Sequence, residues 1–301
     1  VLIVLGNFNL CVNLKFFTLF RTMSKRVSLF NIPNIITACN MISGILAILF
    51  VFFGRLDWAP WFIFLGAIFD WLDGFTARML KQFSELGKQL DSLADMITFG
   101  LAPGIFMMAV LIVAIDLGNP IQETNFNDYA AYCMSNWKNA LFYGPTKIFY
   151  GYYLWLPFLA LLIPVFSLFR LAKFNIDTRQ SDSFLGLPTP ANTLFFTTFV
   201  LALSFYFTKD GYPNYFVTLL FEPVLLAVII LLMSFALITE IPLFALKLKS
   251  LKWDGNQIRY IFILLSIVLI LSTGVWSIAL IVFLYLVLSI FANQGQMNKK
   301  R

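Results

Sequence analysis

The chain has no histidine among its 301 residues. That absence removes imidazole as a base, as a partner for a nucleophile and as a metal ligand, so proton transfer falls to carboxylates. Cysteine is also scarce. Cys11, Cys39 and Cys133 stand at unrelated spacings, which excludes a disulfide framework and a thiolate zinc site. Charged residues make up only 12% of the chain and apolar residues 60%, against about 25% and 45–50% in soluble domains. The apolar residues run in unbroken stretches of roughly 20, which read as spanning helices rather than barrel strands. The expected fold is all-α, a polytopic integral membrane bundle of about eight transmembrane helices.

Residues 1–22 are apolar but interrupted by Asn7, Asn9, Asn13 and Lys15, and they lack a small-residue cleavage site. They read as an N-terminal extension or interfacial segment, with Met23, before Lys25 and Arg26, as a natural start. Spans are expected over residues 34–53, 58–80, 90–115, 151–174, 189–208, 214–238, 256–271 and 274–291. The longest loop, 117–150, should hold a partial interfacial helix over Asp128 to Phe142. The chain thus divides into an extension (1–30), a core (31–240) and a C-terminal helical pair with a basic tail (241–301).

The net charge of +6 is explained without nucleic acid. Arg78, Lys81, Lys88, Arg170, Lys173, Arg259 and the tail Lys299–Arg301 fall on one side of the predicted spans. Arg55, Lys138, Lys147 and Lys209 fall on the other. The richer side is expected to face the cytoplasm.

Within this apolar chain, four acids crowd together at Asp70, Asp73, Asp91 and Asp95. An acid at membrane depth is costly and marks a functional site by default. Helical spacing puts Asp70, Asp73 and Ala77 on one stripe, with Gly74 beside it, and Gly87, Asp91 and Asp95 on another. The polar turn Lys81–Leu90 folds the two stripes toward each other. Four inward acids repel unless cations lie between them. Oxygen ligands alone imply hard ions, Mg²⁺, Mn²⁺ or Ca²⁺.

The pattern D-x2-D-G-x2-A-R-x8-G-x3-D-x3-D, carried by Asp70, Asp73, Gly74, Ala77, Arg78, Gly87, Asp91 and Asp95, resembles the signature of the CDP-alcohol phosphotransferases. The resemblance implies a six-helix catalytic core plus two further helices here, a homodimer, and transfer of a phosphatidyl-type group from a CDP-linked lipid to an alcohol with release of CMP. It implies two divalent cations held by Asp70, Asp73, Asp91 and Asp95, with Asp95 as general base. Gly74, Ala77 and Gly87 would leave room for the cytidine, and Arg78 would neutralise phosphate or pair with an acid. Asn34 and Thr37 share a helical face with Asn40, which either lines the nucleotide cleft or bonds neighbouring helices.

Three softer segments, 34–44, Phe169–Asn175 and Phe184–Ala191, resemble the serine-using branch of that family. They imply CDP-diacylglycerol and L-serine as substrates at the cytoplasmic face of an inner membrane. Arg170, Lys173 and Asn175 would then meet the serine carboxylate or the lipid phosphate. Arg170 and Lys173 can equally be positive-inside anchors, and Asn175 a helix cap. Glu222 reads as a buried mid-span acid without a catalytic role. Glu240 is placed where it could meet the serine ammonium. Within the family another acceptor is the alternative: glycerol 3-phosphate, an inositol phosphate or choline. A prenyltransferase would separate its acidic motifs widely. A cation-coupled transporter would not need Gly74, Ala77 and Gly87 and would often show an inverted repeat, which the sequence lacks.

Overall fold

The structure is a computed structural model that describes residues 30–117, 126–144, 153–176, 184–206, 215–240, 242–243 and 256–299. The expected extension 1–22 and the start at Met23 lie outside the described residues.

Helix α1 (Ile32–Phe52) starts where Asn31 accepts a hydrogen bond from the Asn34 amide at 3.0 Å, with Pro33 in the first turn. Such a cap satisfies an amide that the helix itself leaves unpaired, and proline costs nothing there. Helix α2 (Ala59–Met79) follows a short turn and again opens on a proline, Pro60. It stops at Leu80, and Lys81 turns the chain with φ 53°.

Helix α3 (Glu85–Asp95) is capped by Ser84, whose hydroxyl accepts from the Gly87 amide at 2.9 Å. The cap starts the helix five residues before the apolar run that marks the expected span at 90, so Gly87 and Asp91 ride on the same helix. The chain continues without a break through a π-helical stretch, Met96–Leu101, into α4 (Ala102–Asp116). Pro103 has no N–H for the Phe99 carbonyl one turn back. The Thr193 hydroxyl donates to that carbonyl instead, at 2.7 Å.

Helix α4 is the axis of the bundle, and nearly all its side chains are buried. Around it stand α1, α5 (Phe126–Tyr143), a 3₁₀ turn at Leu156–Leu161 leading into α6 (Leu162–Ile176), and α7 (Thr189–Tyr206). The α5 helix matches the one expected over 128–142. Its Tyr129 and Cys133 are buried, and burial pushes both the hydroxyl and the thiol well above their ordinary range, so both stay neutral.

The expected sixth span is two helices, α8 (Tyr215–Leu220) and α9 (Pro223–Ile238). Glu222 is not the buried mid-span acid expected from sequence. It is exposed and caps α9, accepting from the Leu225 amide at 2.7 Å. Helices α10 (Gln257–Thr273) and α11 (Ser277–Lys299) are separated by a 3₁₀ turn that opens on Gly274 at φ 56°. A two-residue antiparallel pairing, β1 (Phe184–Leu185) with β2 (Pro242–Leu243), ties two connections together at the acid-bearing end. The result is a helical membrane protein: long apolar helices at Ile32–Phe52, Glu85–Asp116, Leu156–Ile176 and Gln257–Phe291, and shorter ones at Thr189–Phe205 and Pro223–Ile238. Helix α2, at 21 residues, is also long enough to span at about 1.5 Å per residue.

The π-helical stretch is gripped where α1 and α2 come close. The Thr98 hydroxyl donates to the Asn40 carbonyl at 3.0 Å, and a Cβ on Gly44 would lie 2.7 Å from the Thr98 Cα. Backbone cannot yield there, so Gly44→Ala should destabilise the fold by about 1–3 kcal/mol, the usual range for overpacking. Thermal unfolding in detergent measures this, and an unchanged midpoint would mean that α1 can move away.

Candidate active site

The end of the bundle where α2 finishes and α1 and α3 begin collects the acids. Oxygens of Asp70, Asp91 and Asp95 lie within 4.8 Å of one another. Asp70 comes from the third turn from the end of α2, and Asp91 and Asp95 from one face of α3, as the four-residue spacing requires. All three are half-buried. Like charges this close, removed from water, oppose one another unless a cation or a proton lies between them.

Asp73 stands apart from that triplet. It is buried, and its Oδ2 accepts from the Thr37 hydroxyl at 2.6 Å. It lines a cleft of about 210 Å³ together with Thr37, Asn34 and Asp91. Gly74 and Ala77 form the α2 side of that cleft, and Gly87 the α3 side. The acids therefore sit on two connected levels, the triplet on one and Asp73 with Asp91 lining the cleft on the other.

The small residues differ in what they do. A Cβ on Gly74 would meet nothing nearer than the tip of Arg78 at 4.0 Å, so its missing side chain is open space on the cleft. A Cβ on Gly87 would lie 3.1 Å from the Ser84 hydroxyl and 3.2 Å from the Asn34 side chain. Gly87 thus already serves the close approach of α3 to α1. Arg78 is exposed and forms no ion pair among the described residues.

Asn40, fully buried on the face of α1 that carries Asn34 and Thr37, donates its amide to Asp95 Oδ1 at 3.2 Å. One oxygen of Asp95 is thereby held by the protein. Sequence spacing puts Asn40 on that face, but only the fold shows that it meets Asp95, 55 positions away. Gln82, Phe83, Ser84 and Lys88 also line the cleft, and no sequence motif marks them.

The residues expected to meet the acceptor separate. Arg170 on α6 is only 9% exposed. It donates to the Thr189 hydroxyl at 3.2 Å and lies within electrostatic range of Asp95. Lys173 instead pairs with Glu240 at 2.7 Å, both side chains well exposed. Asn175 donates to the Ser92 hydroxyl at 2.8 Å, and its carbonyl accepts from Lys88 at 3.1 Å, which fastens the end of α6 to α3. Of the three, Arg170 is the one charged group within electrostatic range of an acid of the site.

Comparison with known proteins agrees with this geometry. Residues 30–126, which carry α1 through α4 and every acid of the site, match the family described as CDP-alcohol phosphatidyltransferase. The chain is 30% identical over 163 residues to the CDP-diacylglycerol–serine O-phosphatidyltransferase of Bacillus subtilis (strain 168), covering 53% of this chain and 69% of that protein. It is 27% identical over 280 residues to the enzyme of the same name from Helicobacter pylori (strain 26695), covering 89% and 97%. It is 29% identical over 179 residues to the archaetidylserine synthase of Methanothermobacter thermautotrophicus, covering 59% and 60%. A family match over the segment that carries the acidic cluster, 30% identity over 69% of one relative and similarity along 97% of another lead to one conclusion: this chain is a membrane-embedded transferase of the CDP-alcohol phosphatidyltransferase family.

Proposed function

We propose that the protein transfers the phosphatidyl group of CDP-diacylglycerol to L-serine, giving phosphatidylserine and CMP. The site would face the cytoplasm from an inner membrane, and the protein would work as a homodimer. The observation that carries this reading is the combination of three elements: a carboxylate triplet, a cleft walled by Gly74 and Ala77, and a buried arginine within electrostatic range of Asp95. The names of the relatives at 30% and 27% identity support serine as the acceptor.

The donor set fits hard divalent ions, because it offers carboxylate oxygens and neither thiolate nor imidazole. Asp70, Asp91 and Asp95 would hold one ion, and Asp73 with Asp91 a second. When bound, such ions neutralise and orient the pyrophosphate. The protein's own groups do the rest. Gly74 and Ala77 admit the nucleotide to the helix backbone. Thr37 holds Asp73 in place. Asn40 holds one oxygen of Asp95, and the other takes the proton of the serine hydroxyl as it attacks the phosphatidyl phosphorus. The bond from that phosphorus to the CMP oxygen breaks, and CMP leaves. Arg170 supplies the positive charge that a serine carboxylate needs.

The deciding assay is CMP release by detergent-solubilised protein given CDP-diacylglycerol and Mg²⁺ or Mn²⁺. Release that depends on L-serine supports the reading. Release with glycerol 3-phosphate but not with serine would overturn it.

The cleft wall gives a separate expectation. Gly74→Leu or Ala77→Leu puts a side chain where the nucleotide would lie. An overpacked contact typically costs about 1–3 kcal/mol, so affinity for CDP-diacylglycerol should fall about 5- to 150-fold. Titration with a CMP competitor measures it. Undiminished affinity in both variants would show that the nucleotide binds elsewhere.

A further inference from the structure

Asn192 is fully buried in the first turn of α7, and neither its side-chain oxygen nor its nitrogen has a partner among the described residues. That is unusual, because buried amides are almost always hydrogen-bonded, and an exception asks for an explanation. Its neighbours do not share the problem. Thr193 donates to the Phe99 and Thr189 carbonyls, and Thr197 donates to Thr193.

The place is informative. Thr189, Asn192 and Thr193 lie three or four residues apart and share a face of α7. Thr189 accepts from Arg170, while Thr193 reaches Phe99, four residues beyond Asp95. The Arg170 side chain is also buried, and its Nε–H has no partner. Two buried, incompletely satisfied polar side chains thus flank Thr189 on α6 and α7, and Arg170 of the pair is within electrostatic range of Asp95. Arg170 offers donors only. Asn192 adds what Arg170 lacks, an acceptor oxygen, along with two donors. Such a pair matches a small zwitterion.

We propose that Asn192 is a specificity-determining residue of the acceptor site, where its side-chain oxygen receives the ammonium of an amino-acid acceptor while Arg170 holds the carboxylate. This rests on serine as the acceptor. It places the serine hydroxyl at Asp95, with the other two polar groups turned toward α6 and α7. An acceptor without an ammonium leaves the Asn192 oxygen buried and unpaired, and sites built to hydrogen-bond a group reject analogues that lack it.

The experiment compares wild type, Asn192→Leu and Asn192→Ala in detergent, with L-serine and with 3-hydroxypropionate, which keeps the hydroxyl and carboxylate but has no ammonium. CMP binding reports that each variant is folded. For Asn192→Leu, the KM for L-serine should rise about 10- to 150-fold, the range for a lost hydrogen bond to a charged group, with little change in kcat. The preference for L-serine over 3-hydroxypropionate should collapse with it. A purely structural asparagine predicts the reverse: removing an unpaired buried amide raises thermal stability and leaves serine KM and the preference unchanged, which would overturn the proposal. Should Asn192→Leu fail to bind CMP, Asn192→Ala carries the same readout. Wild-type protein that ignores serine but uses glycerol 3-phosphate would overturn the acceptor reading itself. Wild-type serine activity with unaltered Asn192 variants would overturn only the role of Asn192.

Discussion

Asp91→Asn should abolish turnover and at the same time stabilise the metal-free protein. Asp91 belongs to both levels of the acidic site, touching the triplet and lining the cleft. An amide keeps the shape but loses the charge and one strong ligand oxygen, so any ion held there is weakened. Asp70→Asn should act alike, since it supplies the sole triplet oxygen from α2. In chelator the wild type keeps oxygens of three acids within 4.8 Å of one another, and removing one charge relieves that repulsion. Added Mg²⁺ should reverse the order. A ligand at 100 times its Kd stabilises a fold by about 2.7 kcal/mol, and the wild type alone should gain an increment of that size. Thermal unfolding in detergent, with EDTA and with excess Mg²⁺, reads both effects beside CMP release. Full activity in thoroughly chelated protein, or the same melting shift with Mg²⁺ in Asp91→Asn as in wild type, would rule out a catalytic ion at the triplet.

Local spacing made much of this site legible. Three- and four-residue intervals put Asp70 and Asp73 on one helix and Gly87, Asp91 and Asp95 on another, and the structure shows both. The apolar runs located the helices to within a few residues wherever caps and prolines marked their ends, as at Asn31 and Pro33. What sequence spacing cannot give is contact between residues far apart in the chain. Thr37 meets Asp73 across 36 positions, Asn40 meets Asp95 across 55, and Lys173 meets Glu240 across 67. Each pair is chosen by how helices pack, not by periodicity. The π-helical stretch after Asp95 was equally hidden, because it arises from a proline and from the grip of α1 and α7 on the segment. Glu222 misled for a related reason. An acid beside a proline in an apolar run looks buried, yet the pair Glu222–Pro223 is a helix start, with the carboxylate as cap.

Asp95→Asn separates proton transfer from binding. In the proposed mechanism, Asn40 occupies one Asp95 oxygen and the other removes the hydroxyl proton. An amide in that place cannot accept the proton, and losing a general base typically lowers the rate by about 10²–10⁴-fold, a loss that weakening the ion held by the triplet deepens. The variant should still bind CDP-diacylglycerol, because the cleft residues Asp73, Gly74, Ala77 and Asp91 are untouched. The loss therefore belongs in kcat and not in the KM for the nucleotide lipid. Among the described residues, neither hydroxyl next to the acids, Thr37 or Ser92, is left free to form a covalent intermediate. The chain has no histidine, and the Ser92 hydroxyl donates to the Lys88 carbonyl and accepts from Asn175. In the proposed reaction serine then attacks phosphorus directly, and a single displacement inverts configuration. A stereochemical assay with CDP-diacylglycerol made chiral by sulfur substitution at the reacting phosphorus should show inversion in the wild type. Net retention would require two displacements through a phosphatidyl-enzyme. A base acting only on the hydroxyl of serine would then not account for the reaction, and the role given to Asp95 would be lost.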